Sequence, residues 1–284
     1  MKRVLLINDT SNERHIGSTQ VVRNLRELCA RNGMTVSWTL TRADIHKWDK
    51  QIVNIVNSCD IVIINGEGSF HHSPIFLDDL IKRISSFRNK KMFLINTMWE
   101  CMYHAKLKEF LDQFELIAVR ESQSFNELKA QYQSEKVILV PDLIFYTSPA
   151  VSPVGYGDSV LPSLKESLRT TQNYFPMNFL DNDPDTQSYM AWLKSLELYV
   201  AGRFHGVCLA ALVETPFLVF RSNSWKIQSL LRDMGCEELL INSFDKVERK
   251  KEISKKSLIK IRTYTVQARN QIEQLFSRIR DLVQ

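Results

Sequence analysis

The strongest constraint on this chain is a local pattern that recurs without any recurrence of sequence. Six short apolar runs, Val4–Ile7, Val36–Leu40, Ile61–Ile64, Met92–Ile95, Leu116–Val119 and Val137–Val140, occupy the first half of the chain. None shows strict alternation of apolar and polar residues, so each reads as a strand buried on both faces, as in a parallel sheet. Between the runs lie polar or glycine-containing turns and segments with helical spacing, such as Val22, Leu25 and Leu28 within Thr19–Asn32, and Leu77, Leu80 and Ile84 within Phe76–Phe87. Strand and helix in alternation, joined by right-handed crossovers, give a doubly wound α/β sheet.

The pattern breaks after Pro141. A stretch rich in Ser, Pro and Gly reads as a linker, and a second unit follows with strands at Leu198–Ala201 and Phe217–Phe220 and helices at Gly206–Val213 and Trp225–Met234. Apolar residues at Ile272, Leu275, Phe276, Ile279, Leu282 and Val283 predict a long amphipathic helix from about Glu252 to Val283. The 284 residues thus divide into a first domain over 1–146, a linker over 147–163, a second domain over 164–245, and a basic segment with the terminal helix over 246–284. About 40 residues separate the linker from Arg203, short for two units of about 30 residues each, so the second domain is trimmed.

Charge excludes more than it selects. The net charge is +5, but Lys246–Arg262 alone carries +6, which leaves the rest of the chain at −1. A nucleic-acid binder would spread basic and aromatic residues over a face, and no reading motif is present. Five cysteines in odd number and without a CxxC pair suggest neither a disulfide framework nor a thiolate zinc site. No run approaches a membrane span, and the N-terminal run is too short for a signal-peptide core, so a cytoplasmic location is expected. The basic segment reads either as a solvated helix face or as a peripheral contact with anionic lipids at the inner face of the plasma membrane.

Ligands of open parallel sheets bind beyond the carboxyl ends of the strands, so polar residues directly after each apolar run are the site candidates. Asn8 follows the first run, and His15, Ile16, Gly17 and Ser18 then lead into a helix, either as an anion-binding turn or with Ser18 as a plain N-cap. The third run ends in Asn65-Gly66-Glu67-Gly68-Ser69-Phe70-His71-His72, where two glycines flank a carboxylate and two histidines follow. Adjacent histidines diverge, and without a third ligand they suggest no metal site. Asn96 follows the fourth run. Arg120-Glu121-Ser122 follows the fifth, and here Arg120 is either an anion clamp or an ion-pair partner, with Glu121 at the start of a helix. Pro141-Asp142 reads mainly as a hinge. The strongest candidate block is Gly202-Arg203-Phe204-His205-Gly206. If the backbone is extended there, Arg203 and His205 point to one side, placing a cation and a titratable imidazole before a helix N-terminus.

Gly66-Glu67-Gly68-Ser69, Arg120-Glu121-Ser122, Pro141-Asp142 and the block from Arg203 to Pro216, with Lys226 and Leu230-Leu231, resemble the polysaccharide pyruvyl transferase family over roughly residues 4 to 235. The resemblance implies two Rossmann-like domains facing a cleft, as in GT-B glycosyltransferases, with the second domain shortened here. It also implies transfer of an enolpyruvyl group from phosphoenolpyruvate to two sugar hydroxyls, as a ketal, during surface polysaccharide biosynthesis. The implied donor site is Arg120, Arg203 and Gly206, with Gly17 and Ser18 as further anion contacts. His205 is the expected general acid, and Glu67 or His72 the base. Asn8, Gly66, Gly68, Ser69, His71, Asn96 and Lys226 are expected to line the cleft or meet the acceptor. No cofactor or metal is expected, and the partners are a small-molecule donor and a glycan or lipid-linked acceptor, without nucleic acid. The alternative is a GT-B-like glycosyltransferase using a CMP-activated acidic sugar, of the CMP-sialic acid or CMP-Kdo type, whose donor shares a carboxylate and a phosphate.

Overall fold

In this computed structural model the described residues are 1–13, 15–71, 75–87, 89–100, 102–149, 186–243 and 246–284. The linker beyond residue 149 and the start of the second domain lie outside them, as does His72. The chain forms two compact units. One comprises Met1–Asn12, Val22–Leu143 and Asn270–Gln284, and the other Glu13–Val21 and Ile144–Arg269.

The first unit is built on six strands, β1 (Lys2–Ile7), β2 (Met34–Leu40), β3 (Ile61–Glu67), β4 (Lys91–Thr97), β5 (Leu116–Val119) and β6 (Val137–Leu139). They form one parallel sheet in the order β2-β1-β3-β4-β5-β6. All six apolar runs of the sequence are strands, and the class is α/β as expected. The connections are α1 (Ile16–Arg31), α2 (Arg42–Lys47), α3 (Lys50–Ser58), α4 (Ile75–Arg83), α5 (Leu107–Asp112) and α6 (Ser122–Gln131). One face of the sheet, with Leu5, Ile7, Val62, Ile64 and Leu94, packs into a core with Ile52, Val56, Leu77, Leu80, Phe110 and Leu128 from the helices. The alternate residues Val4, Leu6, Ile61, Ile63, Phe93 and Ile95 are equally buried. Burial of both faces is why these strands carry no alternating pattern.

The strand order reverses direction between β1 and β3. Such a switch point is where the loops at the carboxyl ends diverge and open a ligand crevice. Three neighbouring strands end there on non-glycine residues in the left-handed region, Asn8 at φ 64°, Glu67 at φ 32° and Asn96 at φ 56°. Asparagine enters this region at modest cost, whereas glutamate does so only when its surroundings hold it.

In the second unit the described strands β7 (Tyr199–Ala201) and β8 (Phe217–Val219) pair in parallel. Around them are α7 (Thr186–Ser195), α8 (Phe204–Leu212) and α9 (Lys226–Asp233), and α10 (Val247–Val283) closes the chain. Helix α8 starts at Phe204, two residues earlier than the sequence suggested, because Arg203 already has the extended backbone of an N-cap. The terminal helix is 37 residues long and begins ahead of the expected Glu252. Among the described residues no helix is long and apolar enough to cross a membrane.

Candidate active site

Two groups of polar residues stand out, one in each unit. In the first unit the carboxyl ends of β1, β3 and β4 are tied by buried side chains. Asn8 Nδ2 donates to the Asn65 carbonyl at 2.6 Å and to Ser69 Oγ at 2.9 Å. Thr10 Oγ1 donates to Glu67 Oε2 at 2.6 Å, and Asn65 Nδ2 approaches the same oxygen at 3.3 Å. Asn96 Nδ2 donates to Asn65 Oδ1 at 3.2 Å, while its own Oδ1 accepts the Leu143 N–H at 3.0 Å. The Glu67 carboxylate is therefore aimed by two donors, and this network holds its strained backbone. Thr10, not singled out from the sequence, and Asn65, quoted there only at the head of its motif, do the aiming. The signal was present in Asn65, a polar residue directly after an apolar run.

Asn8, Ser69 and Asn96, expected to line the cleft, are brought together here, each at least nine-tenths buried. Gly66 has a different reason from the expected close approach to a ligand. A Cβ there would collide with the Thr97 hydroxyl and lie 2.7 Å from Thr97 Cα, so glycine is what lets β3 and β4 meet at this point. At Gly68 no such demand exists, since a Cβ would meet nothing nearer than His71 Cε1 at 4.0 Å. The His71 ring turns back through Nδ1 onto the Gly68 carbonyl.

Arg120 ends β5 with its side chain buried, and its Nη1 lies 2.8 Å from Oδ2 of the equally buried Asp142. Of the two readings open in the sequence, this geometry is the ion pair, and Asp142 is more than a hinge. Glu121 caps α6 by accepting the N–H groups of Gln123 and Ser124.

In the second unit the first turns of three helices contribute to a cationic group: His15, Gly17 and Ser18 from α1, Arg203, His205 and Gly206 from α8, and Lys226 from α9. The extended alternation expected for Arg203 and His205 does not apply, because His205 already lies in the first turn of α8. The grouping shows in the electrostatics of His15. Burial, followed by the charges of His205, Arg203 and Lys226, lowers its pKa to about 3. His15 is thus neutral at physiological pH. Its Nδ1 accepts the Ser18 N–H at 3.3 Å, which puts the remaining proton on Nε2 as a hydrogen-bond donor. Helix α1 is therefore capped by His15, and Ser18 sits inside the helix rather than at its cap.

Packing enforces this arrangement. A Cβ at Gly17 would collide with the His205 side chain, and one at Gly206 would lie 2.6 Å from the Tyr199 hydroxyl. Lys226, read from the sequence as cleft-lining, joins the cationic group through its charge on His15. His15 itself was quoted in the sequence only as part of a turn. What this group can do is bind an anion with several acceptor oxygens: two fixed cations, a neutral imidazole donor, a second imidazole able to move a proton, and N-terminal helix turns.

The model of a family described as polysaccharide pyruvyl transferase matches residues 21–224. No curated protein matches the sequence. Among solved structures, an uncharacterized protein from Klebsiella pneumoniae subsp. pneumoniae NTUH-K2044 is 14% identical with a TM-score of 0.55, covering 85% of this chain and 94% of its own, a likeness of fold. An O-GlcNAc transferase mutant from Thermobaculum terrenum is 10% identical with a TM-score of 0.48, over 99% of this chain and 66% of that one. Arabidopsis thaliana UGT89C1 complexed with quercetin is 10% identical with a TM-score of 0.49, over 99% and 98%.

Proposed function

Because the chain belongs to the polysaccharide pyruvyl transferase family, transferases of surface polysaccharide biosynthesis, we propose that it moves the enolpyruvyl group of phosphoenolpyruvate onto two hydroxyls of a saccharide, forming a pyruvate ketal and releasing phosphate. The observation that carries this reading is the cationic group of Arg203, Lys226, His205 and neutral His15. Phosphoenolpyruvate bears a carboxylate and a phosphate, and a partly buried group of fixed cations and N–H donors is the counterpart of such an anionic ligand.

In the proposed reaction His205 delivers a proton to the methylene carbon, and positive charge develops at the adjacent carbon that bears the phosphate. An acceptor hydroxyl adds there as a base takes its proton, the role expected of Glu67 from the sequence, and the carbon–oxygen bond to phosphate breaks. The second hydroxyl closes the ketal. Of the two hydroxyl protons, one replaces the proton given to the new methyl group and the other leaves on the phosphate. Arg203 and Lys226 hold the donor's negative charges, and His15 contributes its Nε2–H. The acceptor is proposed to be a glycan or lipid-linked saccharide, presented at an anionic membrane surface that the basic stretch of α10 meets.

The test is a melting-temperature screen against phosphoenolpyruvate, CMP, UDP and GDP, since a ligand raises the stability of the fold it binds. A rise with phosphoenolpyruvate is expected. A rise with CMP and none with phosphoenolpyruvate replaces this reading with a glycosyltransferase using a CMP-activated acidic sugar.

A further inference from the structure

The first unit contains a pocket of about 450 Å³ with walls from α2, the loop after β3 and the first turns of α4. Its lining includes Arg42, His46, Gly68, His71, Phe76 and Asp79. Two of these elements follow the carboxyl ends of β2 and β3, and Gly68 comes directly after Glu67. The size falls in the range of small-ligand sites, about 300–1,000 Å³.

We propose that this pocket holds a pyranose ring of the acceptor, a binding site that rests on the transfer reading above. The lining chemistry selects the ligand class. Asp79 is a nearly buried carboxylate whose Oδ2 lies 2.9 Å from His46 Nδ1 and whose Oδ1 lies 3.4 Å from Lys82 Nζ. Burial alone would raise its pKa, yet the hydrogen bonds from His46 and Lys82 bring it below the usual carboxylate range, so it is an acceptor at neutral pH. Arg42 adds donors, the Nε2 atoms of His46 and His71, whose Nδ1–H groups are already given to Asp79 and to the Gly68 carbonyl, add acceptors, and Phe76, buried against Phe70 with ring centroids 5.5 Å apart, adds an apolar wall.

A sugar hydroxyl is both donor and acceptor, and the C–H faces of the ring are apolar, so one carboxylate, several N–H groups and an aromatic wall answer each part of a pyranose. A phosphate or nucleotide calls for a surplus of cations, whereas here His46 and Lys82 are already engaged by Asp79. The residues that make up the cationic group described in the second unit, His15, Arg203, His205 and Lys226, are basic, and the two places therefore take chemically different ligands.

Two variants test the pocket. Gly68→Leu fills it from a position where the protein leaves room for a side chain, and Asp79→Asn removes the anionic acceptor. The readout is saturation-transfer NMR on the full chain with methyl glycosides of glucose, galactose, mannose and N-acetylglucosamine, beside the melting shift given by phosphoenolpyruvate. Expected are saturation of at least one glycoside by the wild type and binding at least about tenfold weaker in both variants, with the phosphoenolpyruvate shift intact. Circular dichroism confirms that each variant is folded. If Asp79→Asn is not, the exposed Arg42→Ala takes its place. No saturation of any glycoside, or saturation that survives the pocket variants unchanged, overturns the proposal. Glycoside binding without a phosphoenolpyruvate shift retains the pocket and overturns the donor reading instead.

Discussion

The imidazoles of His15 and His205 meet edge to face, with ring centroids 5.4 Å apart and an interplanar angle of 60°. Gly17 lies against the same His205 side chain with no room for a Cβ. Gly17→Ala therefore displaces the His205 ring or the first turn of α1, at a cost of about 1–3 kcal/mol in stability. The expected result is a folded protein with a lower denaturation midpoint and a phosphoenolpyruvate melting shift reduced to near zero. An unchanged shift would show that the position of His205 is not set by Gly17.

Arg120 and Asp142 form a buried pair, so removing either partner breaks a buried ion pair, at about 3–5 kcal/mol. Asp142→Asn and Arg120→Met should each lower the urea midpoint strongly, and the Arg120→Met/Asp142→Leu double variant should recover much of the loss. If the folded double variant also retains donor binding, Arg120 supports the end of β5 and does not touch the donor. Loss of donor binding at full stability would instead assign Arg120 to the ligand.

Acid stability follows from His15. Its folded pKa of about 3 lies below the ordinary value of 6.5, so below pH 6.5 the unfolded chain binds a proton that the folded chain does not. This contribution is fully present above pH 6.5 and is lost as pH falls toward 3, by about 1.4 kcal/mol per pH unit at most. Unfolding free energy measured between pH 7.5 and 5 should therefore fall by about 2 kcal/mol from this group, and His15→Gln should flatten that part of the profile. Identical slopes in the two proteins would mean that His15 is protonated in the folded state.

Much of the basic stretch at the start of α10 is already engaged within the protein. Lys250 Nζ donates to the Glu238 and Leu240 carbonyls at 2.5 and 2.8 Å, Lys260 Nζ to the Gly235 carbonyl at 2.7 Å, and Arg262 Nε to Glu214 at 2.8 Å. Lys255 and Lys256 are exposed beside Ile259, which is 78% exposed. Sedimentation with phosphatidylglycerol vesicles should accordingly be weak, abolished by about 0.5 M salt, and lost in the Lys255→Glu/Lys256→Glu variant. Binding that resists both salt and these substitutions would remove the electrostatic contact with membrane from the account.

The strands were legible because burial on both faces writes itself into sequence as unbroken apolar runs, and the ends of those runs located Glu67, Arg120 and Asn96. Three-dimensional neighbours were not legible. Nothing in the spacing of Thr10 and Glu67 announces their hydrogen bond, and Gly66 resembles a ligand-side glycine until Thr97 is seen against it. His15 looked like part of a turn because its role comes from Arg203, His205 and Lys226, all far along the chain. Helix α8 began early because the extended backbone stops at Arg203, a boundary that an apolar segment does not mark.

The most direct measurement is calorimetric titration of phosphoenolpyruvate into the wild type and into Arg203→Met at neutral pH. One site per chain is expected in the wild type and affinity weakened at least about tenfold in Arg203→Met, with circular dichroism showing that the variant is folded. Absence of heat with phosphoenolpyruvate while CMP binds, or equal affinity in the two proteins, would contradict the donor reading.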